Sequence, residues 1–282
     1  MAAAVWAVRH WPDWFRSHYG VAWPRTYCCV DVETTGLVPG QDVVVQWGHC
    51  LVEDGVVADR LGLVLDWTGR DRPPGFWLAD RLGRLAEEMA AAGLRWHVPF
   101  DRLRSEGRRP EEALAFVAGF VDRLKRRGVP FVLHDHVFDE KMLSHAFLDL
   151  GLGPGFTFGD RLVDTAALEK AGQMAGQPRA RPRPTDRPRD YFLRVKYTRA
   201  DGVRYDLSGH CYDAYGFSAR GLARTDLHDA EVDSFCCHLI VEAVREAFER
   251  GGADGGSVAS GDGAGPPAGG GRLRRVRGQR RS

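Results

Sequence analysis

Three short clusters of acids and histidines stand out in this sequence: Asp31-Val32-Glu33-Thr34-Thr35-Gly36, His134-Asp135-His136-Val137-Phe138-Asp139 and His228-Asp229-Ala230-Glu231-Val232-Asp233. Asp31 and Glu33 close an apolar, β-branched run over 26–32 that reads as a buried central strand. Two residues apart on a strand, their carboxylates project to the same side. Anions held together in this way repel each other and are costly to desolvate, unless a cation sits between them. Gly36 would let the backbone approach a ligand closely.

The second cluster follows another apolar run, 130–134, and opens a helix. Asp139 falls in the first turn of that helix, where the dipole favours an anion whether or not it does chemistry. His134 and His136 could serve a transition metal, but the spacing positions no third ligand. The third cluster opens a helix with an apolar period at Val232, Phe235, Leu239, Val241 and Val244. On a straight helix His228 and Asp233, five apart, would diverge by roughly 140°. They can meet only if His228 lies on the loop entering the helix, where a mobile base beside a fixed acid would sit.

The elements that must position these groups follow from pattern. Residues 43–53 and 56–66, joined by Asp54-Gly55, read as a hairpin with a tight two-residue turn. Leu78, Leu82, Leu85 and Met89 have helical spacing within 77–92. A further helix starts at Pro110 and ends at Gly128, with Leu114, Val117, Phe120, Val121 and Leu124 on one face. A helix is expected over 138–150, a strand running into a helix over 161–168, and a final helix over 226–249. The order βββαβαβα indicates a mixed sheet with helices packed on it rather than an all-parallel barrel. Segment 178–189 is rich in Pro and Arg and is excluded from regular helix or central strand. The runs YFLRVKYT and VRYDL, separated by Arg199-Ala200-Asp201-Gly202, suggest a second hairpin.

With its three clusters in this order, the chain resembles the DEDDh (DnaQ-like) 3′–5′ exonuclease superfamily. The family's D-x-E-T-T-G stands here as DVETTG at 31–36, its H-N-x-x-F-D-x-x-x-L as HDHVFDEKML at 134–143, and its H-x-A-x-x-D as HDAEVD at 228–233. The likeness covers about 26–170 and 215–249. His97, Asp164-Thr165 and Leu37 are similar to further family features; Leu37 stands where members place an apolar wedge against the terminal base. Asp135 departs from the family's Asn, and the gap from Asp139 to His228 is long, with about 178–214 as an insertion.

The resemblance implies an α/β, ribonuclease H-like mixed five-stranded sheet flanked by helices, with the Pro/Arg segment and hairpin inserted. It implies two Mg2+ or Mn2+ ions held by Asp31, Glu33, Asp139 and Asp233, and oxygen ligands suit these hard cations. His228 would be the general base. Thr34, Thr35, Gly36, Leu37, His97 and Phe138 would contact substrate, the 3′ end of single-stranded DNA or RNA, and nucleoside 5′-monophosphates would leave stepwise. A catalytically silent domain that binds nucleic acid or a partner protein is the alternative. A zinc protein built on Cys211, His210, His134 and His136 is a third reading.

The chain has 282 residues and a net charge of +1. Its expected organisation is an N-terminal extension over 1–25, an exonuclease domain over 26–250, and a disordered Gly-rich linker with a basic tail over 251–282. That tail carries Arg272, Arg274, Arg275, Arg277, Arg280 and Arg281 against Asp254 and Asp262, so the body is mildly acidic and the tail could add phosphate contacts. Only four of the 39 basic residues are lysine, a skew that weakens Arg-richness as a sign of nucleic-acid binding. The six cysteines lack C-x-x-C spacing and sit in apolar runs, as reduced core thiols of a cytoplasmic protein would. No apolar run is long enough to span a membrane.

Overall fold

In the computed structural model, residues 12–21, 23–70, 76–174, 177 and 180–253 are described. The basic tail beyond Ala253 lies outside the described residues. The sheet is built from β1 (Tyr27–Thr34), β2 (Val44–Glu53), β3 (Val56–Val64), β4 (Phe131–Leu133) and β5 (Leu162–Asp164) in the order β3-β2-β1-β4-β5. The first three strands are antiparallel neighbours, and β4 and β5 add in parallel. The hairpin turns where Asp54 and Gly55 both take positive φ, as its sequence requires. This is the ribonuclease H-like mixed sheet with flanking helices that the sequence led us to expect.

The period of two along β1 divides its side chains between two cores. Tyr27 and Cys29 enter one, while Cys28, Val30 and Val32 enter the other. The second core is closed by α4 (Pro110–Arg126) and α5 (His136–Asp149), with Leu114, Val117, Met142 and Leu143 buried against Trp47 and Phe131. Also on the chain before α4 are α2 (Leu78–Ala91) and a short helix, α3 (Phe100–Glu106), that the sequence did not announce. The first core is closed by α6 (Thr165–Gln173), α7 (Pro188–Tyr197) and the long terminal helix α8 (Ala230–Ala253). The helix α1 (Pro12–Tyr19) belongs to this core as well. Trp14 and Phe15 are buried there, and Trp14 packs on Tyr191 and Phe192 of α7.

The expected second hairpin is not formed. All of YFLRVKYT but its last residue, Thr198, lies in α7, which Pro188 starts, and Tyr191, Phe192 and Val195 fall on one helical face and are fully buried. Burial of that stripe against α1 outweighs the strand preference of its aromatic and β-branched residues. VRYDL leads instead into a π-helical turn, Leu207–Cys211. All six cysteines are free and buried. No helix among the described residues is long and apolar enough to cross a membrane.

Candidate active site

Four acids meet at the end of the sheet where β1 runs out. Asp31 and Glu33 come from β1 and share the face that α8 covers. Glu33 is 9% exposed, Asp139, in the first turn of α5, 2%, and Asp233, in the first turn of α8, 5%. Burial first, and then the neighbouring carboxylates, push Asp31, Glu33 and Asp139 well above the ordinary carboxylate range. Asp233 is pushed up to about 8, again mainly by burial, with Asp229 adding to the rise and a hydrogen bond from the His228 backbone opposing it.

His228 lies on the loop before α8, with φ of +66°, a left-handed conformation that histidine adopts at a cost. Its backbone N–H donates to Asp233 Oδ2 at 3.1 Å, which fixes the loop to the first turn of the helix. Its Nδ1 stands 4.0 Å from Glu33 Oε1. One ligand atom each from Glu33, His228 and Asp233 lies within 4.8 Å of the others. Burial, and then the nearby His97, hold the imidazole below its ordinary pKa.

The loop is clamped from outside by Arg102, which motif reading did not single out, and by His97, which it expected at the substrate. Arg102 Nη1 donates to His97 O at 2.8 Å and to Asp229 Oδ2 at 3.2 Å, and the His97 ring bonds Thr225 O at 2.7 Å. Inside, Gln46, paired with Glu33 across the ladder, accepts from Ala230 N–H at 3.1 Å. Gly48 pairs with Asp31, and a Cβ there would lie 1.9 Å from Ala230 O. A polar residue and a glycine inside the apolar strand VVVQWGHC were the available signal.

The remaining candidates divide. Leu37 is 78% exposed. Thr35 Oγ1 is spent within its own loop, donating to Asp42 Oδ1 and accepting from Val43 N–H, and Thr34 Oγ1 donates to Gly36 O. A Cβ on Gly36 would sit 2.6 Å from the Asp42 carboxylate, so glycine lets this loop close. Phe138 packs on the second core. Asp135 takes φ of +80°, caps α5 by accepting from Phe138 N–H, and is ion-paired with Lys196 of α7.

The proposed zinc set does not converge. His134 bonds Thr165, His136 bonds Asp164 and His210 bonds Glu169, while Cys211 Sγ faces the Tyr205 carbonyl. The acid cluster, in contrast, fits divalent cations. Asp139 Oδ2 and Asp233 Oδ1 are buried with no hydrogen-bond partner among the described residues, and such oxygens are costly unless a cation meets them.

No family model and no curated protein matches this chain. Solved structures do. Escherichia coli exonuclease I bound to a dA16 oligonucleotide superposes with a TM-score of 0.50 at 14% identity, covering 80% of this chain and 43% of that one. The zinc-bound form of the E. coli exonuclease I–single-stranded DNA complex gives a TM-score of 0.50 at 14% identity, covering 80% and 42%. Another exonuclease I structure gives 0.51 at 14%, covering 80% and 43%. At this identity the likeness is one of fold. The chain spans less than half the length of these neighbours.

Proposed function

We propose that this protein is a metal-dependent 3′–5′ exonuclease of the DEDDh type, releasing nucleoside 5′-monophosphates from single-stranded nucleic acid. The observation that carries this reading is the convergence of Asp31, Glu33, Asp139 and Asp233 from three distant stretches, with His228 held beside them. The likeness in fold to exonuclease I, whose structures contain single-stranded oligonucleotides, points the same way.

Asp31, Glu33, Asp139 and Asp233 would hold Mg2+ or Mn2+. When bound, the cations supply charge neutralisation for the acids and for a phosphodiester, and lower the pKa of an attacking water. The protein's own part is positional and proton-transferring. Gly48 and Gln46 fix the start of α8 against β1, and thereby Asp233 against Asp31. Burial disfavours the charged form of the His228 imidazole, and the neutral form is the one able to take a proton from water. Leu37, an exposed side chain, would meet an apolar base face.

The test is the shortening of a 5′-labelled single strand with Mg2+ or Mn2+, for the natural chain and for Asp31→Ala. Stepwise shortening from the 3′ end by the natural chain alone is expected. Equal inactivity of both on DNA and RNA would favour the silent binding module.

A further inference from the structure

We propose that the C-terminal end of α7 is a nucleotide subsite, in which Lys196 takes a backbone phosphate of the bound strand and Tyr197 stacks on one of its bases. This rests on the exonuclease reading, since a strand is assumed to reach the acid cluster. A site lined by carboxylates must still hold a polyanion, and cations beside it decide how.

Arg102 and Lys196 are cations paired with carboxylates that adjoin the cluster in sequence. Arg102 is committed, shared between His97 O, Asp229 and Glu106. Lys196 is differently placed. Its ammonium is paired with Asp135, which caps α5 one turn before Asp139 and is itself 38% exposed at the side chain.

Composition does not put lysine here, because only four of the 39 basic residues are lysine. A second of those four, Lys170, donates to the Lys196 carbonyl at 2.6 Å and fixes the last turn of α7. Lysine is a compact, mobile charge suited to phosphate, and it can leave one oxygen partner for another. Beside it, Tyr197 is 70% exposed, with Lys196 Nζ 6.0 Å from its ring centroid. A cation next to an exposed ring is the pairing that holds single strands, the one on phosphate and the other on a base.

The competing role for Lys196 is to neutralise Asp135 and nothing more. Fluorescence anisotropy of a labelled single-stranded oligonucleotide in Ca2+ separates the two. The proteins compared are the natural chain, K196Q, K196R, D135N, Y197A and the D135N/K196Q double variant. K196Q and Y197A should each weaken binding about tenfold. K196R should bind nearly as the natural chain, D135N at least as tightly, and the double variant as weakly as K196Q. The slope of log affinity against log salt should fall in magnitude by about 0.7 for K196Q. Recovery of natural affinity in the double variant, or an unchanged salt slope in K196Q, would overturn the subsite.

The two readings fail separately. A natural chain that binds but does not cleave in Mg2+ or Mn2+ overturns the exonuclease and leaves the subsite standing. Cleavage by the natural chain, with K196Q matching its affinity and salt slope, overturns the subsite alone. A chain that neither binds nor cleaves overturns both.

Discussion

Gly48 lies against Ala230 so closely that a Cβ on the glycine would stand 1.9 Å from the alanine carbonyl oxygen. Because Gly48 is also the ladder partner of Asp31, this contact sets how near α8 comes to β1. It therefore sets whether Asp233 can reach the acids of the strand. Backbone cannot yield as a flexible side-chain tip would, so Gly48→Ala must displace the start of α8. We expect a loss of about 3 kcal/mol in urea denaturation, and loss of nuclease activity even where the variant remains folded. Natural stability and activity in Gly48→Ala would show that the helix has room to move.

The buried acids make stability depend on pH and on cations. Asp233 is pushed up to about 8 in the folded chain, well above an unfolded aspartate. A raised folded pKa favours the protonated form, so this contribution to stability is present below the unfolded pKa and is lost as pH rises through about 8. Without divalent ions the natural chain should become less stable between mildly acidic and alkaline pH. Asp233→Asn, which keeps the neutral form, should melt about 4 °C higher in EDTA at alkaline pH, while losing activity. Adding Mg2+ or Mn2+ should raise the natural Tm and leave that of the variant nearly unchanged. The check is a thermal melt of both proteins across pH, with and without the ion.

Arg102 ties α3 to the loop that carries His228. Replacing it by Gln leaves the Asp229 carboxylate, 9% exposed, without its cation while it feels Asp31, Glu33 and Asp233. The expected cost is about 1–3 kcal/mol, or roughly a tenfold or greater fall in kcat. KM for short substrates should change little, because the guanidinium is turned toward the loop. Steady-state kinetics on a dinucleotide separate the two constants, and a change confined to KM would place Arg102 on the substrate instead.

Much of the site could be read from residues close in sequence. Asp31 and Glu33 end an apolar run, Asp139 opens a helix, and the five-residue gap from His228 to Asp233 required a histidine outside the helix. The structure places His228 there, with a left-handed backbone. The groups that hold these residues were not legible, since Gln46–Ala230, Arg102–Asp229 and Lys196–Asp135 join residues 184, 127 and 61 apart. The mistaken hairpin has the same origin. Tyr191, Phe192 and Val195 carry helical spacing, but what settles α7 is packing on Trp14, far away in the chain. Local pattern announces which residues end an element; only the packed core says what they meet.

The pH dependence of turnover should carry the mark of the His228 environment. Burial, and then the charge that His97 bears when protonated, both disfavour the imidazolium, so the folded pKa lies below that of a free histidine. A lowered pKa keeps the base neutral, and therefore able to accept a proton, further into acid. The acidic limb of kcat/KM in Mn2+ should thus fall below about 6.5. His97→Gln removes the smaller of the two causes and leaves burial, so it should move the limb upward without bringing it to the ordinary histidine value. Since His97 also bonds Thr225 O, the variant's maximal rate will drop as well. Position along the pH axis, rather than amplitude, is then the informative quantity. A limb at or above the free-histidine value, or one that His97→Gln leaves in place, would remove His228 from the role of base.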